Sequence, residues 1–71
     1  MIAERLRGAR LIAGLSQEEL AFQLSAAGQP ITKAAISKYE TGKSVPTAPF
    51  IFKLAQILKV KPTYFLTEPM V

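Results

Sequence analysis

Apolar residues in the first dozen positions recur at helical intervals: Ile2, Leu6, Ala9 and Ala13 share one side, with arginines at its flanks. That period predicts an amphipathic helix over residues 2–13. Gly14 supplies the left-handed residue that commonly closes a helix, and Leu15 is placed to pack back over the last turn. Ser16-Gln17-Glu18-Glu19 then reads as a capping box, with the Ser16 hydroxyl taking an orphan amide and Glu19 reaching back to the cap. Glu18 favours the positive helix start. The second helix is predicted from Gln17 to about Ala26, burying Leu20, Ala21 and Leu24, with Gly28 and Pro30 ending it.

Thr32 caps a third predicted helix from Lys33 to about Glu40, with Ile36 and Tyr39 inward, Glu40 beside them and Gly42 as the stop. After the loop Lys43-Ser44-Val45-Pro46, Thr47 caps a fourth, where Pro49 is tolerated in the first turn. Its broad face of Phe50, Ile51, Leu54, Ala55, Ile57 and Leu58 makes it the expected centre of the core. Pro62 starts a short fifth helix carrying Tyr64, Phe65 and Leu66. The expected organisation is all-α: one domain over residues 1–66, then a tail or the start of a linker over 67–71.

Composition narrows the class. A chain of 71 residues, 49% of them hydrophobic, is too short for two cores and too apolar for a disordered tail. It has no cysteine, so no disulfide framework supports the core and nothing argues for an oxidising compartment; a cytoplasmic setting fits. No signal peptide is visible, and no apolar run approaches the ~18 residues of a membrane span. Histidine is absent too, which removes the usual general base, the usual zinc ligand and the usual partner of a nucleophilic serine. Glu18 and Glu19, the one adjacent pair of acids, point apart on a helix and form no paired-carboxylate site. No enzyme, metal or cofactor reading has residues to stand on.

The net charge of +4 is unevenly spread. Charges cancel over residues 1–30, whereas residues 31–61 hold six lysines against Glu40 alone. A lysine-rich surface commonly serves solubility, so position has to decide. The stretch TKAAISKYETGK at 32–43 decides it: a helix that only filled a core would carry more bulk inward and less smallness outward. Ala34, Ala35 and Ser37 let the backbone of this helix come close to a partner, and Lys33 and Lys38 reach past them.

Two short helices joined by a turn match a helix-turn-helix. The segments L-S-Q-E-E-L-A at 15–21, I-S-K-Y-E-x-G-K at 36–43 and L-A-x-x-L-x-V at 54–60 resemble the Cro/C1-type, or XRE-family, DNA-binding domain over residues 2–66. The resemblance implies a compact five-helix, lambda-repressor-like fold with helices 2 and 3 as the motif and helix 3 in the major groove. Carried over by position, it makes Lys33, Ala34, Ser37 and Lys38 candidate base readers, lysine donating to guanine and the alanine methyl touching thymine. Candidate phosphate contacts are Ser16, Gln17, Thr32, Thr41 and Lys43. It also implies a buried ion pair between Arg10 and Glu40.

One departure stands out. Between Leu24 and Tyr39 the chain carries five residues more than the family pattern, Ala26-Ala27-Gly28-Gln29-Pro30, which lengthen a turn that is otherwise tight. Loops tolerate insertions at small entropic cost, so the fold is expected to survive. Phe22 occupies a normally polar, outward position and is expected to pack against this insertion.

The expected role is sequence-specific binding of double-stranded DNA as a bacterial or phage transcriptional regulator, a repressor acting by occupying its operator as a homodimer on two half-sites about 34 Å apart. Tyr64, Phe65, Leu66, Met70 and Val71 are candidates for an apolar dimer contact, the first three also for closing the core. The rivals are an antitoxin-like protein-interaction module and the regulatory N-terminal domain of a longer protein.

Overall fold

Hydroxyl side chains start three of the helices. The computed structural model describes residues 2–66, with α1 at Ile2–Ile12, α2 at Gln17–Ala26, α3 at Lys33–Glu40, α4 at Ala48–Leu58 and α5 at Thr63–Leu66; no strand occurs among them. Ser16, Thr32 and Thr47 each sit in extended backbone at an N-cap and accept a hydrogen bond from the backbone N–H three residues on. At α2 the box is complete, because Glu19 Oε1 also accepts from the Ser16 N–H at 2.8 Å. Each such cap is worth about 1 kcal/mol. The tail expected at 67–71, with Met70 and Val71, lies outside the described residues.

The helix ends follow a common pattern with one exception. At the end of α1, Gly14 takes φ +75° while the Leu15 N–H returns to the Arg10 carbonyl at 3.1 Å and the Gly14 N–H to Leu11 at 3.0 Å. The helix thus stops at Ile12, one residue short of expectation, and Ala13 is exposed instead of facing the core. At the end of α4 the same left-handed position is held by Lys59 at φ 58°, with the Val60 N–H on the Ala55 carbonyl at 3.0 Å. A side chain there is crowded against its own backbone, at a cost of about 1 kcal/mol or more.

Helix α4 runs through the core as its apolar face predicts. Phe50, Ile51, Leu54, Ala55 and Leu58 are buried, and Ile57 is half-buried against them. Around them pack Leu6 and Ala9 of α1, Leu20, Ala21 and Leu24 of α2, Ile36 of α3 and Phe65 of α5. Full burial of a side chain such as Leu54 contributes roughly 1.5–3 kcal/mol. Tyr39 lays its ring against Phe50 at 5.0 Å between centroids, fastening the end of α3 to α4.

Two surface aromatics sit differently from one another. Tyr64 remains partly exposed, edge-on to Phe65, and Arg5 caps it by lying 5.1 Å from its ring centroid while donating to the Tyr64 carbonyl at 2.7 Å. Phe65 alone of that pair closes the core. Phe22 does not pack on the lengthened turn: it is 74% exposed, beside Glu18, Glu19 and Gln23 on the outer side of α2. The turn is held instead by hydrogen bonds from Ser25 and Gln29 and needs no aromatic cover.

Candidate nucleic-acid interface

Helix α3 is anchored by one fully buried side chain, Ile36, and turns a small polar face outward. Lys33, Ala34 and Lys38 are exposed and Ser37 is half-buried, so the four residues singled out from the sequence share the free side of one helix. Positions 34, 37 and 38 are spaced three and four apart and lie along a single stripe, with Lys33 at its start. No bulky residue interrupts it.

The electrostatics of α3 favour an external anion. Unlike α2, which carries Glu18 and Glu19 in its first turn, α3 has no acidic residue there, and Lys33 adds a full charge to the positive end of the helix dipole. That arrangement costs the isolated domain a few tenths of a kcal/mol or more. Lys38, Thr41 and Lys43 follow on the exposed surface, extending the basic character past the helix end.

The hydrogen-bond ledger sorts the candidate phosphate contacts. The Ser16 and Thr32 hydroxyls each accept a backbone N–H, from Glu19 at 3.0 Å and Ala35 at 3.1 Å, which leaves their protons free to donate outward. The Lys43 ammonium is exposed, while its backbone N–H closes α3 onto the Lys38 carbonyl at 2.9 Å. Thr41 is occupied: its hydroxyl donates to the Ser37 carbonyl at 2.9 Å and its N–H to the same oxygen at 3.0 Å. Gln17 is occupied through its side chain, with Nε2 donating to Glu40 Oε1 at 3.1 Å, so its backbone N–H at the start of α2 is what it has to offer.

Behind this surface lies the charged network that ties α3 to α1 and α2. Arg10 Nε and Nη2 donate to the two oxygens of Glu40 at 2.6 and 3.0 Å, and Arg10 Nη1 donates to the Leu15 carbonyl at 2.8 Å. The side chains are 9% and 3% exposed. One guanidinium therefore joins the end of α1, the turn before α2 and the last residue of α3, and Gln17 adds the first residue of α2. Burial pushes the Glu40 carboxyl up, but the hydrogen bonds from Arg10 and Gln17 and the charges of Arg10 and Arg7 outweigh it and hold it below the ordinary glutamate value. The hydrogen bond to Glu40 raises Arg10 in turn.

The lengthened turn is tied at both ends. The Gln29 N–H donates to the Leu24 carbonyl at 2.8 Å, finishing α2. One residue before Thr32, the Ser25 hydroxyl holds both main-chain groups of Ile31, accepting from its N–H at 3.3 Å and donating to its carbonyl at 3.4 Å, while the Ile31 side chain packs on the core. Neither this clasp nor the Gln17 link has a local sequence signature, since both depend on how the helices meet. Among the described residues no group of three or more His, Cys, Asp or Glu is arranged to hold a metal ion, and no helix is long and apolar enough to cross a membrane.

Comparison with known families returns the helix-turn-helix model HTH_3 over residues 6–65. No curated protein and no solved structure matches the chain.

Proposed function

The chain belongs to the Cro/C1-type (XRE-family) helix-turn-helix family of DNA-binding domains, and from that premise we propose that it is a bacterial or phage transcriptional repressor that binds a specific operator. The observation that carries the proposal is the outward stripe of α3, small and cationic, with an uncompensated positive helix start. In this reading α3 lies in the major groove. Lys33 and Lys38 donate to guanine O6 or N7, the Ala34 methyl meets a thymine methyl, and the Ser37 hydroxyl takes a base edge or a bridging water.

Ser16 and Thr32 donate their free hydroxyl protons to phosphates on either side of the groove, and the Gln17 N–H adds the positive end of α2. Lys43 neutralises a further phosphate beyond the end of α3. Thr41 reaches a phosphate only by giving up its bond to Ser37, which makes it the weakest of the set. The Arg10–Glu40 network holds α2 and α3 in one register, so both helix starts meet the backbone together.

One module covers a short half-site, so the operator-bound species is a homodimer on half-sites about 34 Å apart, acting in the cytoplasm without cofactor or catalysis and with residues 1–66 as the binding domain. Exposed Ile12, Phe22 and Phe52 support a protein contact, which is also what the antitoxin-like reading requires. Salt separates the two. Selection of duplexes from a random pool at 150 mM salt, about physiological strength, followed by affinity measured against salt, is expected to give one motif and a log–log slope of about −0.9 per neutralised phosphate. Equal affinity for every duplex at low salt refutes the proposal.

A further inference from the structure

The base-reading face of α3 lacks the planar amide or guanidinium that reads bases most selectively; it offers lysines, an alanine and a serine. The nearest amide in sequence is Gln29, in the lengthened turn. It is half-buried and, unlike Gln17, its side chain makes no hydrogen bond among the described residues. A polar side chain in that condition is available to an outside partner.

Its backbone is unusually well fixed for a turn residue. The Gln29 N–H is bonded to the Leu24 carbonyl, and Ile31, two residues on, is clasped by Ser25. Between them Pro30 has a locked φ and restricts Gln29, as the residue before proline, to extended backbone. Gln29 stands three residues before the Thr32 cap, so its Cα lies within about 11 Å of the start of α3 at full extension. A major groove is about 12 Å wide, and the first residues of such a helix point to its base edges. Gln29 is thus tethered within about one groove width of the start of α3.

We infer that Gln29 is a specificity-determining residue: its free amide, carried by the clasped turn, reads an adenine through N6 and N7 at a base pair flanking those under α3. Glutamine is one of the two side chains whose amide matches adenine in this bidentate way, and such a pair discriminates roughly 5- to 150-fold against other bases. Ser25 is the positioning residue, acting through Ile31. The inference rests on the DNA-binding reading above, and the test keeps the two apart.

Selection from a random duplex pool is run on the full chain, on Gln29→Ala and on Ser25→Ala, with thermal unfolding of each as a control. The wild type is expected to enrich adenine at one flanking position. Gln29→Ala loses that enrichment alone, with the rest of the motif and the melting temperature unchanged, and Ser25→Ala blurs the same position. An unaltered motif in Gln29→Ala overturns the inference while leaving DNA binding intact. A uniform loss of affinity at all sites overturns it too, since it marks a phosphate contact. A wild type that selects no motif removes this inference together with the reading beneath it.

Discussion

Replacing Glu40 with glutamine removes one charge from the network and little else, since the side chains have the same shape. The carboxylate takes donors from Arg10 at 2.6 and 3.0 Å and from Gln17 at 3.1 Å, with the pair 9% and 3% exposed. Breaking a buried pair costs about 3–5 kcal/mol because the remaining ion stays buried without its counter-charge. Glutamine keeps one acceptor oxygen and Arg10 keeps the Leu15 carbonyl, so the expected loss is near the lower end, about 3 kcal/mol. A domain of this length has roughly 4–11 kcal/mol to lose. The melting temperature should fall by more than ~10 °C.

Urea unfolding followed by helical circular dichroism is the assay, and the midpoint should drop with the slope unchanged. The pH dependence gives a second readout. Because the folded-state pKa of Glu40 lies below its ordinary value, its contribution is complete above that ordinary value, about 4.3, and is lost as pH falls through the lower folded value. The wild type should therefore lose stability in that acid window, and Glu40→Gln should lose less there. A Glu40→Gln protein within ~0.5 kcal/mol of wild type at neutral pH, the range of ordinary surface changes, would show that the network is not what holds α3.

Four further substitutions test other parts of the structure. Lys59→Gly relieves the left-handed end of α4 and should stabilise by about 1 kcal/mol, read as a rise in melting temperature. Ala21→Leu overfills the buried α2 surface near α3 and should cost about 1–3 kcal/mol by urea titration; a neutral result would mean the helices have room to spare. Lys38→Ala should change the selected DNA motif, whereas Lys43→Ala should weaken all duplexes alike and shallow the salt slope by about 0.9; the same behaviour from both would undo their separate assignment.

What the sequence made legible was local. Ser16, Thr32 and Thr47 announce helix starts because a hydroxyl acceptor three residues ahead of an amide is a short-range arrangement, and the apolar face of α4 announces the core because burial follows its period. What stayed hidden depends on elements meeting. Ala13 fits the apolar period of α1 yet is exposed, because Gly14 unwinds the chain before the last turn reaches the core. Phe22 was expected to cover the turn, but Ser25 had already satisfied it with a side chain of two heavy atoms. Lys59 carries no glycine to mark its backbone, and the engagement of Gln17 with Glu40 spans helices distant in sequence.

The knot that Ser25 makes with Ile31 has a practical bearing on how such a protein can be altered. The side chains of Ala26, Ala27 and Pro30 are exposed while the backbone around them is fastened to α2 and to Ser25, so those side chains are largely decoupled from the packing of the bundle. They form an interchangeable cassette beside the third helix, where new side chains can be grafted for a different target while the scaffold that carries them is left untouched.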